Sequence, residues 1–386
     1  MKKFTIQLIV FLFFFVLTSE GQMKETAKGN NTFAIDLYKK IFSEDQNVFF
    51  SPYSISSALA MTYAGARGET EKQMIKVLHY DIKQENTHQG FFEINSSLNK
   101  YQKEQLIKLS IANALWEGLP LKQDYLDLTK KYYNASIFPL NGAKSINDWA
   151  DLNTNGKIKE IVKASDLANA VLVLTNAIYF KGDWLTKFDE KITRKSIFKL
   201  VNDSVTNVDM MYMNSKVNYF EDAEKQIIEL PYKNEKMTMI IVLPGEGSSL
   251  KSLTANMDEK QFTNFISKFT SREVNIYLPK FKFSSQFDLE KVLPKMGMPD
   301  AFNAMKADFS GMSQEGLSIS KVKHKAIVEV NEKGSEAAAV TAVIMIKAAK
   351  MKEIFFKADR PFMFYIYDKT TNSILFMGSV LNPVKE

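Results

Sequence analysis

The sequence predicts an α+β protein, and three observations lead to that prediction. Helix start and stop residues are frequent in the first half of the 386-residue chain, whereas apolar strand-like runs dominate the second half. Hydrophobic residues make up 45% and charged residues 24%, which is typical of a soluble globular protein and excludes a disordered, collagen-like or coiled-coil chain. A chain of this length buries a large core, so the absence of cysteine does not prevent a stable fold.

The N-terminus indicates an export signal. Two lysines follow Met1, and the apolar run Phe4–Leu17 comes next. This run has 14 residues, fewer than the roughly 20 that span a membrane, and small residues follow it up to Gly21. We predict a cleaved signal peptide at 1–21, a single domain at 22–386 and a secreted, extracellular protein. Four sequons, although chance alone produces one or two, fit an exported glycoprotein. They begin at Asn30, Asn95, Asn134 and Asn202.

The first half of the mature chain predicts helices. Ser51 and Pro52 form a helix start, with serine as the N-cap and proline at the first helical position, and Gly65 ends this helix. Residues Thr70–Gln73 match a capping box that would open a second helix. Segment 86–108 predicts a further helix.

The second half predicts strands. Ala170–Phe180 is almost wholly apolar, which is typical of a central strand covered on both faces. Polar residues 369–372 separate two apolar runs and predict a C-terminal hairpin. The other predicted strands are Met237–Leu243, Val274–Leu278, Ala326–Val330, and the hairpin strands Phe362–Asp368 and Ile374–Val380.

Segment 334–350 combines an alanine-rich, helix-like start with a β-branched, strand-like continuation. Conflicting local preferences of this kind are expected at functional elements. A buried helix is the alternative interpretation.

Residues that carry catalysis are scarce. The absence of cysteine excludes disulfides, iron–sulfur clusters and cysteine nucleophiles, and the three histidines are scattered: His79, His88 and His324. The chain lacks GxSxG, P-loop and HExxH motifs. The net charge of +6 is spread among interleaved acids and bases, which indicates a solvated surface. We therefore predict no enzymatic activity, no cofactor, no metal, no nucleic-acid partner and no membrane insertion.

Seven motifs in order give the chain a resemblance to the serpins, a large family of serine protease inhibitors, and to its secreted inhibitory members. The resemblance extends from about Asn31 to Pro383. The motifs are Asn47–Pro52, Asn176–Trp184, Leu278–Phe281, Ala307–Gly311, His324–Ala326, Val330–Ala339, and Ala358–Phe362 with Phe376–Gly378.

The resemblance implies a monomeric serpin fold with three β-sheets, about nine helices and an exposed reactive-centre loop at about 334–357. It also implies a suicide mechanism, in which a serine protease attacks a bait bond in the loop and becomes covalently attached. The cleaved loop then inserts as a new strand into the central sheet and distorts the protease.

The first part of the loop suits insertion. In a strand, alternate residues share a face, so Ser335 and Ala337 would point inward while the charge of Glu336 would stay in solvent. Gly334 tolerates the backbone change that a hinge requires. The resemblance assigns these residues to the hinge: Glu332, Gly334, Ser335, Glu336, Ala337, Ala338, Ala339, Val340 and Thr341.

The bait bond has more than one candidate. Seventeen residues from Glu332, the usual length in the family, place it at Ala348–Ala349, which suits elastase-like proteases. A count one shorter gives Lys347–Ala348, which suits trypsin-like proteases because the lysine can pair with an acid in the protease pocket. Lys350–Met351 is a third position.

The resemblance also assigns two structural clusters. Ser51, Ser54, Asn176 and His324 match the "shutter", which holds the central sheet closed, so His324 is interpreted as structural. Trp184, Lys280 and Glu332 match the "breach", where insertion begins, and Glu332 is expected to pair with Lys280.

Two alternative functions fit the sequence less well than inhibition. A non-inhibitory serpin (carrier, chaperone or storage protein) usually has bulky, charged or proline residues that spoil the hinge, whereas the inward-facing hinge positions of this chain, such as Ser335 and Ala337, have none. A secreted hydrolase has no nucleophile motif here. A glycosaminoglycan cofactor occurs in the family. The lysines that could bind it here are Lys100, Lys103 and Lys108, which are sparse and close to the acid Glu104. Inhibition of cysteine proteases, also known in relatives, stays open.

Overall fold

The computed structural model describes residues 2–103, 107–133, 135–333 and 353–385, with side chains for 19–101, 112–133, 135–333 and 353–385. Within these residues nine α-helices are present: α1 (Lys2–Ile41), α2 (Pro52–Gly65), α3 (Gly68–Leu78), α4 (Gln84–Lys103), α5 (Gln123–Tyr133), α6 (Ala143–Asn153), α7 (Leu250–Asn256), α8 (Glu259–Ser267) and α9 (Leu293–Met296). The same residues contain fourteen strands: β1 (Val48–Phe50), β2 (Ile107–Glu117), β3 (Ser136–Pro139), β4 (Leu172–Gly182), β5 (Arg194–Lys199), β6 (Val205–Glu221), β7 (Lys225–Pro231), β8 (Met237–Pro244), β9 (Thr270–Pro279), β10 (Phe281–Asp288), β11 (Lys321–Val330), β12 (Ile354–Lys357), β13 (Phe362–Asp368) and β14 (Ser373–Val380).

The strands confirm the α+β class and form two hydrogen-bonded networks within the described chain. The larger network has nine strands in the order β1-β14-β13-β8-β7-β6-β9-β12, with β5 also paired to β6. Strand β6 is 17 residues long and pairs with β9 over ten positions and with β7 at its end. Its length therefore joins two of the three expected sheets into one network.

The smaller network is a five-stranded sheet in the order β10-β11-β4-β2-β3. Strands β4 and β11 run parallel through eight residue pairs, whereas each also has an antiparallel neighbour, β2 and β10 respectively. Leu174 and Ile178 of β4 pack into the main core, and Val173 and Ala177 pack against the side that carries α6. The prediction of a central strand covered on both faces is confirmed.

Local structure agrees with the predicted start of α2. The Ser51 side chain accepts a hydrogen bond from the Ser54 N–H, Pro52 occupies the first turn, and the helix ends at Gly65. The predicted C-terminal hairpin is also present, because β13 and β14 pair antiparallel around a turn in which Asn372 has φ 56°.

The capping box predicted at Thr70–Gln73 is wrong. Helix α3 begins at Gly68, and no side chain caps its first turn. The side chains of Thr70 and Gln73 instead accept hydrogen bonds from the backbone N–H groups of Asp308 and Asp300. A tertiary contact has taken the acceptors that the local pattern assigned to the helix.

The helix predicted over 86–108 is shorter at its C-terminal end. Helix α4 ends at Lys103, and Lys108 lies on β2, which pairs with β4 over eleven residue positions. Pairing with a central apolar strand outweighs the helical preference of the segment.

Helix α1 continues from Lys2 through the predicted signal peptide to Ile41. Its side chains enter the core from Thr26 onward, and Phe33 and Tyr38 are fully buried. Within the parts of the chain that the structure describes, no helix has an apolar stretch long enough to cross a bilayer. Cleavage near Gly21 and the division at residue 22 stay predictions.

Candidate functional site

A row of polar side chains lies on the face of the five-stranded sheet that packs into the main core, opposite the face that carries α6. Asn176 of β4 is in register with His324 of the parallel strand β11 and with Asn113 of the antiparallel strand β2. Residues at one level of a sheet place their side chains on one face. We call Ser51, Ser54, Asn113, Asn176 and His324 the shutter.

Asn176 is the centre of the shutter. Its amide nitrogen donates to Ser54 Oγ and to Asn113 Oδ1, and its amide oxygen is hydrogen-bonded to His324 Nδ1. Ser54 Oγ also donates to Asn113 Oδ1 at 2.7 Å. These contacts join α2 to the three strands and cross the parallel pair between β4 and β11.

Ser51 connects the shutter to the larger sheet. Its backbone N–H donates to His324 Nε2 at 3.2 Å, and its hydroxyl donates to the Leu375 carbonyl of β14 at 2.7 Å. The four shutter residues identified in the sequence are therefore brought together.

His324 is neutral in this environment. Because the Ser51 N–H donates to Nε2, the ring proton lies on Nδ1 and donates to the Asn176 oxygen. The ring is fully buried, and burial lowers the pKa of His324 to about 3. This arrangement agrees with a structural role rather than a catalytic one.

Asn113 is a shutter residue that the sequence analysis missed. It lies between Ala112 and Ala114, so a single amide interrupts small apolar residues. A polar side chain between two apolar residues of a central strand requires a buried partner, and this pattern could have indicated the residue.

The predicted pair of Glu332 and Lys280 is present beyond the end of β11. Lys280 Nζ is 2.9 Å from Glu332 Oε2, the Thr193 hydroxyl donates to Oε1 at 2.8 Å, and the Phe188 N–H donates to the Glu332 carbonyl at 3.2 Å. Burial alone would raise the pKa of Glu332, but the hydrogen bonds from Lys280 and Thr193 outweigh it and lower the pKa. The chain is therefore anchored where the loop begins.

Trp184 anchors the neighbouring residue. Its indole nitrogen donates to the Asn331 carbonyl at 2.9 Å, and its ring stacks on Tyr232 with 4.8 Å between ring centroids. All three predicted breach residues thus lie around 331–332.

A segment after α6 crosses the outer face of the sheet; we call residues 157–167 the strap. Its apolar side chains, including Ile158 and Ile161, pack with residues of β4. The Glu160 carbonyl accepts from Lys325 Nζ of β11 at 2.8 Å, and the Ile161 carbonyl accepts from Gln286 Nε2 of β10 at 3.1 Å. The strap therefore connects the two sides of the parallel pair.

The predicted bait residues lie outside the described chain: the hinge residues Gly334, Ser335, Glu336, Ala337, Ala338, Ala339, Val340 and Thr341, and the bond candidates Lys347, Ala348 and Ala349. Only Glu332 of the predicted hinge is described.

The sequons differ in accessibility. A glycan on Asn30 is incompatible with this fold, because the side chain is fully buried and its amide nitrogen donates to the Ile374 carbonyl. Asn95 is half-buried and accepts a hydrogen bond from the Tyr53 hydroxyl. Asn202 is exposed between β5 and β6, and Asn134 lies outside the described residues.

Comparisons with known proteins agree on one family. The family model described as Serpin (serine protease inhibitor) matches residues 28–383. An uncharacterized serpin-like protein of Thermococcus kodakarensis is 40% identical over 378 residues, which cover 94% of this chain and 87% of that protein. Human Serpin B8 is also 40% identical over 378 residues, covering 94% of this chain and 100% of its own. The solved structure of human thyroxine-binding globulin has a TM-score of 0.84 at 31% identity and covers 94% of this chain and 100% of that one.

Proposed function

This chain belongs to the serpin family, and on that premise we propose that it is a secreted serine protease inhibitor that acts as a suicide substrate. The observation that carries the proposal is the parallel pair of β4 and β11, from whose C-terminal end the loop departs. A strand that returned from β11 and entered this pair would run antiparallel to both neighbours. One parallel pair would become two antiparallel pairs, which adds a row of backbone hydrogen bonds in the more stable arrangement.

The contacts around the pair support this mechanism. The hydrogen bond between Asn176 and His324 crosses the pair, so the shutter must open before a strand enters. Trp184 and Lys280 hold residues 331–332 at the entry end. The closed sheet is thereby stabilised until the loop is cut.

The sequence of the loop supports insertion and leaves the bond open. From Glu332 to Ala348 there are 16 steps, about 50 Å when extended at roughly 3.3 Å each, which is enough for a full strand. The target is an elastase-like protease if the bond is Ala348–Ala349, and a trypsin-like protease if it is Lys347–Ala348.

Incubation with a panel of elastase-, chymotrypsin- and trypsin-like proteases tests the proposal. We expect at least one protease to form a complex with the full-length protein that survives boiling in detergent. The N-terminal sequence of the released peptide identifies the bond. If every protease only cleaves the loop, the inhibitory function is wrong.

The hinge provides a matched pair of variants. Ser335→Arg places a cation on the face that would turn inward, where it cannot be paired, so the variant should be cleaved without complex formation. Glu336→Arg places the same cation on the solvent face and should keep inhibition. Equal behaviour of the two variants would contradict strand insertion.

Secretion is part of the proposal, supported by the basic and apolar residues before Gly21. Expression of the whole chain in a secreting host should release a protein whose N-terminus, determined by mass spectrometry, lies near residue 22. Retention of the apolar run Phe4–Leu17 in the mature protein would show that it is not a signal peptide.

A carrier function is the second candidate, because one structural neighbour is a thyroxine-binding globulin solved with thyroxine. The two functions differ in the response to loop cleavage. A carrier without loop insertion should show neither a covalent complex nor a gain in heat resistance after cleavage.

A further inference from the structure

The sequence contains two Asn–Gly pairs, and they flank helix α6. Asn141–Gly142 directly precedes the helix, and Asn155–Gly156 follows its C-terminal end. Asparagine is a thermolabile residue, because it can lose its side-chain amide by deamidation. Deamidation is fastest when glycine follows, since glycine has no side chain to obstruct the attack of its backbone nitrogen. The two pairs are therefore the candidate deamidation sites of this chain.

The reaction requires only the chain and water. The backbone nitrogen of Gly142 or Gly156 loses its proton and attacks Cγ of the preceding asparagine. The new bond joins this nitrogen to Cγ, the bond from Cγ to Nδ2 breaks, and ammonia leaves, so a five-membered succinimide forms. Water then opens the ring at one of its two carbonyl carbons and gives aspartate or isoaspartate. An N–H that donates a hydrogen bond must break this bond before its nitrogen can attack.

The surroundings of the two pairs are alike in most respects. Asn141 and Asn155 are both exposed, and neither carboxamide has a hydrogen-bond partner in the described chain. Both glycines have positive φ, 101° for Gly142 and 77° for Gly156, and a Cβ atom at either position would meet nothing within 4 Å. Solvent access and steric room therefore do not distinguish the pairs.

One backbone hydrogen bond does distinguish them. The Gly156 N–H donates to the Asp151 carbonyl at 2.9 Å in the turn that ends α6. Gly142 is the N-cap residue of α6, whose N–H has no partner inside the helix, and it has no acceptor elsewhere in the described chain. The loss of a typical hydrogen bond before the attack slows a reaction about two- to tenfold. Attack at Asn155 is therefore the slower of the two.

We propose that Asn141 deamidates spontaneously in the folded protein, whereas the hydrogen bond of Gly156 protects Asn155. This inference does not depend on protease inhibition. Deamidation places a carboxylate at the N-terminal end of α6, where the first turn contains no acidic residue and a negative charge is favourable. The charge alone should therefore not weaken the helix.

Isoaspartate has a further effect because it adds a carbon atom to the main chain. Residue 141 connects two fixed points of the fold. The Leu140 N–H donates to the Glu117 carbonyl of β2 at 2.8 Å, and Ile146 of α6 is fully buried against residues of β2 and β4. We expect the longer main chain to shift one of these contacts and so to weaken the attachment of α6.

Peptide mapping of the full-length protein tests the assignment. The protein is incubated at neutral pH and body temperature, once folded and once in concentrated guanidinium chloride. The tryptic peptides 132–144 and 145–157 each contain one Asn–Gly pair, and fragment masses identify the converted residue. Digestion in water labelled with heavy oxygen marks any deamidation that occurs after unfolding.

The ratio of the two rates decides the outcome. In denaturant, Asn141 and Asn155 should deamidate at similar rates, because glycine follows both. In the folded protein, the rate at Asn141 relative to Asn155 should rise by at least about threefold over its value in denaturant. A smaller rise, or faster conversion of Asn155, overturns the proposal.

Amide hydrogen exchange tests the cause independently of deamidation. The Gly156 amide should exchange at least about threefold more slowly than the Gly142 amide, after correction for the rates in an unfolded chain. Equal corrected rates would show that the hydrogen bond to Asp151 does not protect Gly156, and would overturn the proposed cause.

Two variants separate the charge from the longer main chain. Asn141→Ser cannot deamidate and is the control for every other change during incubation. Asn141→Asp adds the charge alone, so its Tm should equal or exceed that of the parent chain. The isoaspartate form, isolated from incubated protein by cation exchange, should melt at least about 1 °C below Asn141→Asp. Equal Tm values for these two forms would contradict the weaker attachment of α6.

Discussion

At the scale of the residue, the shutter uses a buried histidine that stays neutral. His324 accepts from the Ser51 backbone and donates to Asn176, so both ring nitrogens have partners. Protonation would place a second ring proton on Nε2, which would then be a donor that faces the Ser51 N–H donor. The hydrogen-bond pattern of the closed sheet thus depends on the neutral ring.

This dependence predicts a loss of stability in acid. The pKa of a histidine in an unfolded chain is about 6.5, and burial lowers the pKa of His324 to about 3 in the fold. Between these pH values the unfolded chain takes up a proton that the folded chain does not. The contribution of His324 to the free energy of unfolding is therefore complete above pH 6.5 and falls as the pH drops. From pH 7.5 to 4.5 the loss from this residue is about 2–3 kcal/mol.

Urea unfolding at the two pH values measures the effect. The variant His324→Gln cannot titrate and should lose about 2–3 kcal/mol less than the unmodified chain over this range. His88→Gln should remove a separate share, because burial lowers the pKa of His88 to about 4. An identical acid loss in His324→Gln and the unmodified chain would contradict the assignment.

The contact of Lys280 with Glu332 makes a second prediction at this scale. Lys280→Met leaves the carboxylate of Glu332, which is 5% exposed, without its cation, and should lower the free energy of unfolding by about 1–3 kcal/mol. Lys280→Met combined with Glu332→Gln should cost less than the sum of the single changes. A double-mutant cycle measured by denaturant unfolding gives this coupling. Additive single changes would show that the pair does not contribute.

At the scale of the element, the strap is the part of the fold that strand insertion disturbs most. A new strand would increase the separation of β4 and β11 from about 4.8 Å to about 9.6 Å. The hydrogen bonds of the strap to Lys325 and Gln286, at 2.8 and 3.1 Å, cannot stretch by this amount. The strap must therefore detach from one side before the sheet accepts a strand.

Weaker strap contacts should consequently accelerate insertion. We expect Lys325→Met and Gln286→Leu to increase the rate of insertion about two- to tenfold each, since each removes a hydrogen bond worth about 0.5–1.5 kcal/mol. Lys282→Met, an exposed lysine of β10, serves as the control and should leave the rate unchanged. Stopped-flow fluorescence during reaction with the target protease measures the rate; equal rates for all three variants would show that the strap does not limit insertion.

The elements differ in how far the sequence predicts them. The apolar run of β4, the N-cap at Ser51 and the polar turn of the last hairpin depend on neighbouring residues, and all three were predicted. The strap depends on contacts between distant residues, which no local pattern contains. The local pattern marks Asn113 as a polar residue between alanines, but it does not identify Ser54 and Asn176 as its partners. The role of Thr70 could not be predicted for the same reason, because its hydroxyl accepts a hydrogen bond from the distant Asp308 N–H and not from its own helix.

At the scale of the whole molecule, the two ends of the loop are attached to different sheets. The described chain ends at Lys333 beyond β11 and resumes at Glu353, just before β12, which pairs with β9 in the nine-stranded network. An uncut loop cannot become a complete strand of the smaller sheet while its far end stays in the larger one. Cleavage removes this restraint.

This geometry predicts a large effect of cleavage on heat resistance. A cut in the loop by a non-target protease should raise Tm by about 10 °C or more, because a full row of strand hydrogen bonds is added. The cut form of Ser335→Arg should keep the Tm of the intact protein. Differential scanning calorimetry of cut and intact chains measures both values of Tm. An unchanged Tm in the cut parent chain would exclude a native state that becomes more stable through loop insertion.

The contacts of α1 with β14 also bear on how the protein is made. Asn30 and Asn31 donate to the carbonyls of Ile374 and Asn372, which follow them by 344 and 341 positions. On the ribosome, the amino-terminal helices emerge long before these partners exist, so the polypeptide cannot complete its packing until synthesis is nearly finished. Until its last strand is made, the incomplete chain exposes apolar surface that can aggregate, and export as proposed above would have to pass the chain through a channel in this incomplete state.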